Sequence, residues 1–329
     1  MLKKSFLTLV LIALYLACSL GPAGAETEIR MTGFGGANNL PVWVALEKGF
    51  FQKEGLSVVL DQTESSASQI KDTMAGKYQF ITSAFDNIVA YTEGEGAAQY
   101  ADFDLVAILG VHSGLNSILS RPEIKSYGDI KGKTVSVDAL TSGYATVLYQ
   151  ILAEKGLVRD KDYQVIVVGG TGERVKSLQD GRAAAAIVSS PQDMQLRKKG
   201  YHVLGDTAQE IGNYQGSAYV VRRSWAKGHD KEVMALTRAI VAAHDSVFAD
   251  RSGAIEVLKK RTPVLTDQDL SILYDRLTGP GGLQKSAAID LKGVEMVLKL
   301  RSIYGGRKTA TVEPLKYVDQ SYWKRAVAK

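Results

Sequence analysis

Five times along this 329-residue chain an apolar strand ends in Gly, Ser, Thr or Asn and a helix begins at once. The corners are residues 33–39 (GFGGANN), 83–87 (SAFDN), 138–144 (DALTSGY), 169–174 (GGTGER) and 189–192 (SSPQ). In parallel α/β sheets such corners line the carboxyl edge, where ligands bind. Free backbone N–H groups at helix starts suit carboxylate, sulfonate or phosphate oxygens, and glycine lets a ligand approach the backbone. Thr141, Ser142 and Gly143 have the clearest claim, because no acidic residue follows in the first turn to occupy those N–H groups. Arg174 opens the next helix. Its fork suits a carboxylate or sulfonate held at two points, or else a surface pair with Glu173 or Asp180.

Other polar residues at these corners have two readings each. Asn38 and Asn39 either cap the helix that starts near Pro41 or reach a solute with an amide. Ser83 with Asp86, Ser190 with Asp193 and Thr266 with Asp269 have capping-box spacing, and such caps stabilise by about 1 kcal/mol without any ligand. Ser83, Asn87 and Ser189 also stand at the edge where a solute would sit. Phe34, Phe85, Tyr144 and Tyr214 are candidates for an apolar or stacking wall, or for core.

Catalytic patterns are missing. None of His112, His202, His229 and His244 has a partner at metal-ligand spacing. His112, beside Ser113-Gly114, either points into a cleft or is bonded internally. The corner at Gly169 lacks the G-K-S/T ending of a phosphate-binding loop, and no G-x-S-x-G elbow occurs. Asp138, at a strand end, is structural or an acceptor for a ligand amine. Recognition without chemistry is expected, with no cofactor and no metal.

The elements that must carry these corners alternate between strand and helix, which argues for α/β layers with mainly parallel strands. A shift near Asn116 and another near Tyr214 divide the chain. We expect a first lobe over residues 26–116, a second over 117–214, and a return to the first with C-terminal helices over 215–329. The two crossings would form a hinge that brings Asn116 and Tyr214 to the cleft. Net charge is +5, with bases interleaved among acids, so no nucleic acid partner is expected. Lys3 and Lys4, an apolar run over residues 6–17 and the Ala23-Gly24-Ala25 site read as an export signal cleaved after Ala25. Lipid attachment at Cys18, the single cysteine, is the competing route.

Residues 38–60, NNLPVWVALEKGFFQKEGLSVVL, read as a helix with Val42, Ala45, Leu46 and Phe50 on one face, then a buried strand over 58–60. Their wording resembles the opening of periplasmic solute-binding proteins of the nitrate, sulfonate and taurine transporter group. Related binders of thiamine pyrimidine precursors belong to that group. The resemblance covers the chain after the export signal. It implies a two-lobed periplasmic binding protein fold (type II), each lobe a mainly parallel sheet flanked by helices, with a hinge between them. It further implies a monomeric, periplasmic receptor that captures a small-molecule solute and delivers it to the membrane permease of an ABC transporter. A small organic anion, sulfonate or carboxylate, is the expected solute, with an uncharged heterocycle such as a pyrimidine precursor as its rival. An exported enzyme or a sensory module on the same fold stays open. The cysteine-rich signature of the pyrimidine-synthesising relatives of this fold is absent.

Overall fold

A computed structural model describes residues 26–63, 65–306 and 313–328. The expected export signal and Cys18 lie outside the described residues. In the first lobe β1 (Thr27–Phe34) runs parallel to both β2 (Leu56–Thr63) and β3 (Phe80–Ala84), with Met31 opposite Leu60 and Phe80. Between β1 and β2 come α1 (Leu40–Glu47) and α2 (Phe50–Lys53). Pro41 sits in the first turn of α1, where its missing N–H costs nothing. Residues 40–45 are all buried, so this part of α1 has no polar face, unlike the one-sided helix expected. The strand expected to be buried is the edge strand β2, where Val59 is 43% exposed.

The first sheet has the order β2-β1-β3-β10-β4. Its other strands are β4 (Leu105–His112) and β10 (Ser217–Arg222), and its helices α3 (Ser66–Met74) and α4 (Phe85–Thr92) flank β3 in sequence. The second sheet uses β5 (Ser117–Ser120), β6 (Thr134–Val137), β7 (Gln164–Val167), β8 (Ala185–Val188) and β9 (His202–Asp206), in the order β7-β6-β8-β5-β9. Helices α5 (Gly143–Glu154), α6 (Thr171–Gln179) and α7 (Gln192–Lys198) follow β6, β7 and β8. One strand in each sheet is reversed. β10 is antiparallel to β3 and β4, and β5 to β8 and β9. These are the two strands entered directly after the chain crosses between sheets.

The crossings, residues 112–117 and 206–217, are bonded to each other. The Thr207 hydroxyl accepts the Asn116 N–H at 3.1 Å and donates to the Gly114 carbonyl, while Gly216 N–H donates to the His112 carbonyl at 3.0 Å. In the second crossing lies α8 (Thr207–Ile211). After β10 the chain forms α9 (Arg223–Gly228), α10 (Asp230–Ala249), α11 (Arg251–Arg261), α12 (Asp267–Thr278), α13 (Leu291–Tyr304) and α14 (Ser321–Val327). Among these, Leu236, Leu258, Leu270 and Leu273 bury against α1 and β1 in the first-lobe core. A second apolar cluster spans both lobes, joining Phe85, Ile88, Val297 and Leu298 to Val135, Leu148 and Tyr149. The carboxyl corners therefore face each other across a seam that is packed on one flank.

Candidate functional site

On the first-lobe side, β1 ends at Phe34, which is 38% exposed. Asn39 is buried and secures the turn that follows, its Nδ2 donating to the carbonyls of Phe34 (2.6 Å) and Gly36 (3.2 Å). Asn38 reaches His112 at the end of β4, with Nδ2 and Nε2 3.2 Å apart. Burial lowers the His112 pKa to about 4, so the ring is neutral at pH 7. Its Nδ1 accepts the Gly114 N–H at 3.0 Å. The ring proton must then sit on Nε2, and the Asn38 amide must turn its oxygen toward it. A Cβ on Gly36 would stand 3.7 Å from the Ser190 carbonyl, so the corners after β1 and β8 meet across the seam.

On the second-lobe side, Ser189 Oγ donates to Asn116 Oδ1 at 2.6 Å. Asn116 is 1% exposed, and its buried Nδ2 has only the Tyr144 phenol as a partner among the described residues. Burial pushes the Tyr144 phenol up to about 12, and a nearby Asn116 amide opposes that shift. Ser142 caps α5, accepting the Ala145 N–H at 3.2 Å, and donates its single proton to Asp138 Oδ1 at 2.5 Å. The Thr141 carbonyl accepts from Arg301 Nη1 at 3.3 Å.

Arg174 is neither a surface partner of Glu173 or Asp180 nor an open clamp. It is 5% exposed and braces its own lobe: Nε donates to the Ile187 carbonyl (2.8 Å), Nη1 to the Gly169 carbonyl (3.2 Å) and Nη2 to Thr171 Oγ1 (3.1 Å). Nη1 also faces Asp138 Oδ1 at 3.6 Å.

The capping-box reading of Ser83 and Asp86 does not hold. β3 runs on through Ala84, which makes Phe85 the first helical residue of α4 and leaves Ser83 inside the strand. Ser83 Oγ accepts from Asn87 Nδ2 at 3.3 Å, so these two candidates satisfy each other. Phe85 is fully buried in the core. Asp86 crosses the seam. Arg301 Nη1 donates to it at 2.8 Å, and the Gly143 N–H at the start of α5 donates to it as well. Burial raises the Asp86 pKa, and Arg301 works against that rise. A Cβ on Gly143 would lie 2.7 Å from both Asp86 Cβ and the Tyr214 hydroxyl, so glycine here is what lets the lobes touch. Tyr214 is buried there and against Gly114.

The seam thus gathers Asn38, His112, Asn116, Thr141, Ser142, Gly143, Tyr144, Ser189 and Tyr214, while Phe34 is exposed at the end of β1. Asn39, Phe85 and Arg174 are committed elsewhere. Sequence reasoning missed the charged flanks. Arg301 joins Asp86 and Glu95, and Arg276 on α12 joins Asp193 on α7. Lys198 pairs with Asp269 at 2.5 Å on the same flank as Arg276. A signal did exist: Arg301 continues the apolar spacing of Val294, Val297 and Leu298, so a cation falls on a buried helix face. A depression of about 230 Å³ lined by Tyr91, Gln99, Tyr100 and Phe103 lies apart, and no corner residue lines it.

A family model described as NMT1/THI5 like matches residues 37–254. A 4-amino-5-hydroxymethyl-2-methylpyrimidine phosphate synthase from Uromyces fabae is 25% identical over 265 residues, 72% of this chain and 71% of that protein. Among solved structures, the periplasmic nitrate-binding protein NrtA from Synechocystis PCC 6803 matches with a TM-score of 0.75 at 15% identity, covering 91% of this chain and 88% of that one. The alkanesulfonate-binding protein SsuA from Xanthomonas axonopodis pv. citri, bound to MOPS, matches with a TM-score of 0.69 at 14% identity, covering 91% and 97%. At these identities the likeness to the solved structures is one of fold: two lobes, each an α/β sheet, in the manner of periplasmic binding proteins.

Proposed function

From the premise that this chain belongs to the NMT1/THI5-like family, we propose that it is an exported solute receptor, holding one small molecule between its lobes and passing it unchanged to the membrane permease of an ABC importer. The lobes would be residues 26–116 with 215–329, and 117–214. The observation that carries this reading is the seam itself. Polar groups from both carboxyl edges and from both crossings converge there, and the two crossings are the natural pivot for closure. A solute that contacts both lobes favours the closed state by its differential affinity. Periplasmic location after cleavage at Ala25, and action as a monomer, complete the reading.

The solute is small and polar and carries no net negative charge. An organic anion finds little support, because Arg174 is the single Lys or Arg of the five corners and two crossings, and it is bonded within its own lobe. The start of α5 already faces the Asp86 carboxylate. An uncharged nitrogen heterocycle suits the amides, phenols and carboxylates at the seam. The name of the synthase from Uromyces fabae supplies a probe, the free 4-amino-5-hydroxymethyl-2-methylpyrimidine. A thermal-shift screen of this aminopyrimidine, cytosine, ethanesulfonate, benzoate and nitrate tests the reading. A bound solute at 100 times its Kd should stabilise by about 2.7 kcal/mol through mass action. No shift from any solute would count against a receptor, and conversion of the solute would point to an enzyme.

A further inference from the structure

We propose that Asp138 is the residue that selects the solute class, accepting a hydrogen bond from an N–H donor on a neutral or cationic nitrogen compound. This deepens the receptor reading and rests on it.

Asp138 follows the last residue of β6, a strand flanked by β7 and β8 in the second sheet, at the corner that opens α5. Its side chain is 34% exposed, whereas the Arg174 side chain beside it is only 6% exposed. Oδ1 takes the Ser142 proton, and among the described residues Oδ2 accepts no hydrogen bond. The facing Arg174 Nη1 stands 3.6 Å away and is already bonded to a carbonyl, so the carboxylate is held in place and only partly answered. Ser142 and Arg174 fix the orientation of Asp138, and Oδ2 is the oxygen left for a solute.

Tyr144 borders the same corner, its phenol feeling the Asp138 charge and bonded by the Asn116 amide, whose Oδ1 is occupied by Ser189. The acceptor at Asp138 suits the N–H of an amidine-like edge, as in an aminopyrimidine.

The surrounding charge reinforces the choice. Asp86 takes the Gly143 N–H, and Arg301 is shared between Asp86 and Glu95. A sulfonate or carboxylate entering here would meet two carboxylates and no uncommitted guanidinium from the five corners.

The test is titration calorimetry of wild type and Asp138→Asn with 4-amino-5-hydroxymethyl-2-methylpyrimidine, ethanesulfonate and benzoate. Wild type should bind the aminopyrimidine and neither anion, and D138N should weaken it at least tenfold. Asp138→Ser, which keeps a hydroxyl for Ser142, replaces D138N if that variant does not fold. Aminopyrimidine affinity within twofold of wild type in the variant would overturn the role of Asp138 while leaving a receptor standing. So would wild type that binds an anion in preference. Wild type that binds no probe at all would remove both.

Discussion

Replacing Arg301 by Met should be among the most destabilising single changes in this protein. Arg301 is 1% exposed and stands between the Asp86 and Glu95 carboxylates, which are 3% and 5% exposed. Its Nη1 bonds Asp86 at 2.8 Å and also reaches the Thr141 carbonyl of the second lobe at 3.3 Å. Methionine fills much of the volume but removes the cation that the buried Asp86 and Glu95 carboxylates share. Breaking a buried pair in this way costs about 3–5 kcal/mol. Urea unfolding followed by circular dichroism should show a lower midpoint with little change in slope. Neutralising both acids as well, in Arg301→Met/Asp86→Asn/Glu95→Gln, should recover at least half of the loss, because the penalty lies in the stranded charges. A loss under about 1 kcal/mol for R301M, or no recovery in the triple variant, would refute the reasoning.

Buried ionisable groups and the tight approach at Gly143 give further outcomes. His112 and His244 are both buried with pKa lowered to about 4, against about 6.5 in an unfolded chain. Since the folded values are the lower ones, their contribution is complete above about pH 6.5 and falls away as pH drops through 4. Stability should decline by about 1–2 kcal/mol per histidine between pH 7 and pH 5 in urea titrations, and a flat profile would contradict this. Asp269, held at about 2 by Lys198 and Thr266, keeps its contribution above about pH 4 and loses it as pH falls through 2. Asp269→Asn should flatten that part of an acid melt. Gly143→Ala places a methyl 2.7 Å from Asp86 Cβ and the Tyr214 hydroxyl and should cost about 1–3 kcal/mol. Small-angle scattering should show a larger radius for that variant, and an unchanged midpoint would mean that the lobes are not in contact there.

The strand and helix alternation was legible because each strand is short, apolar and followed at once by a helix start. The span from Thr27 to Asp206 reads nearly as it folds. The edge character of β2 was not legible, since Val58 and Leu60 look the same in sequence whether one neighbour strand lies beside them or two. The helices at Arg223 and Ser321 escaped notice because they are only 6 and 7 residues long, and the one at Arg251 because charged residues break up its apolar spacing. At the corners, which residue would be consumed by the fold depended on contacts far apart in sequence. Asp86 illustrates this. Its local spacing mimics a capping box, while its partner Arg301 is 215 residues away. Arg174 has the chemistry of an anion clamp and the location of a brace. Only the packing of α6 on β8 separates the two.

The most direct measurement is titration calorimetry of the purified protein with 4-amino-5-hydroxymethyl-2-methylpyrimidine, followed by mass spectrometry of the recovered solute. One molecule should bind per chain and be returned unchanged, with ethanesulfonate and nitrate failing to compete. Binding of ethanesulfonate or nitrate in its place, or return of a chemically altered product, would contradict this.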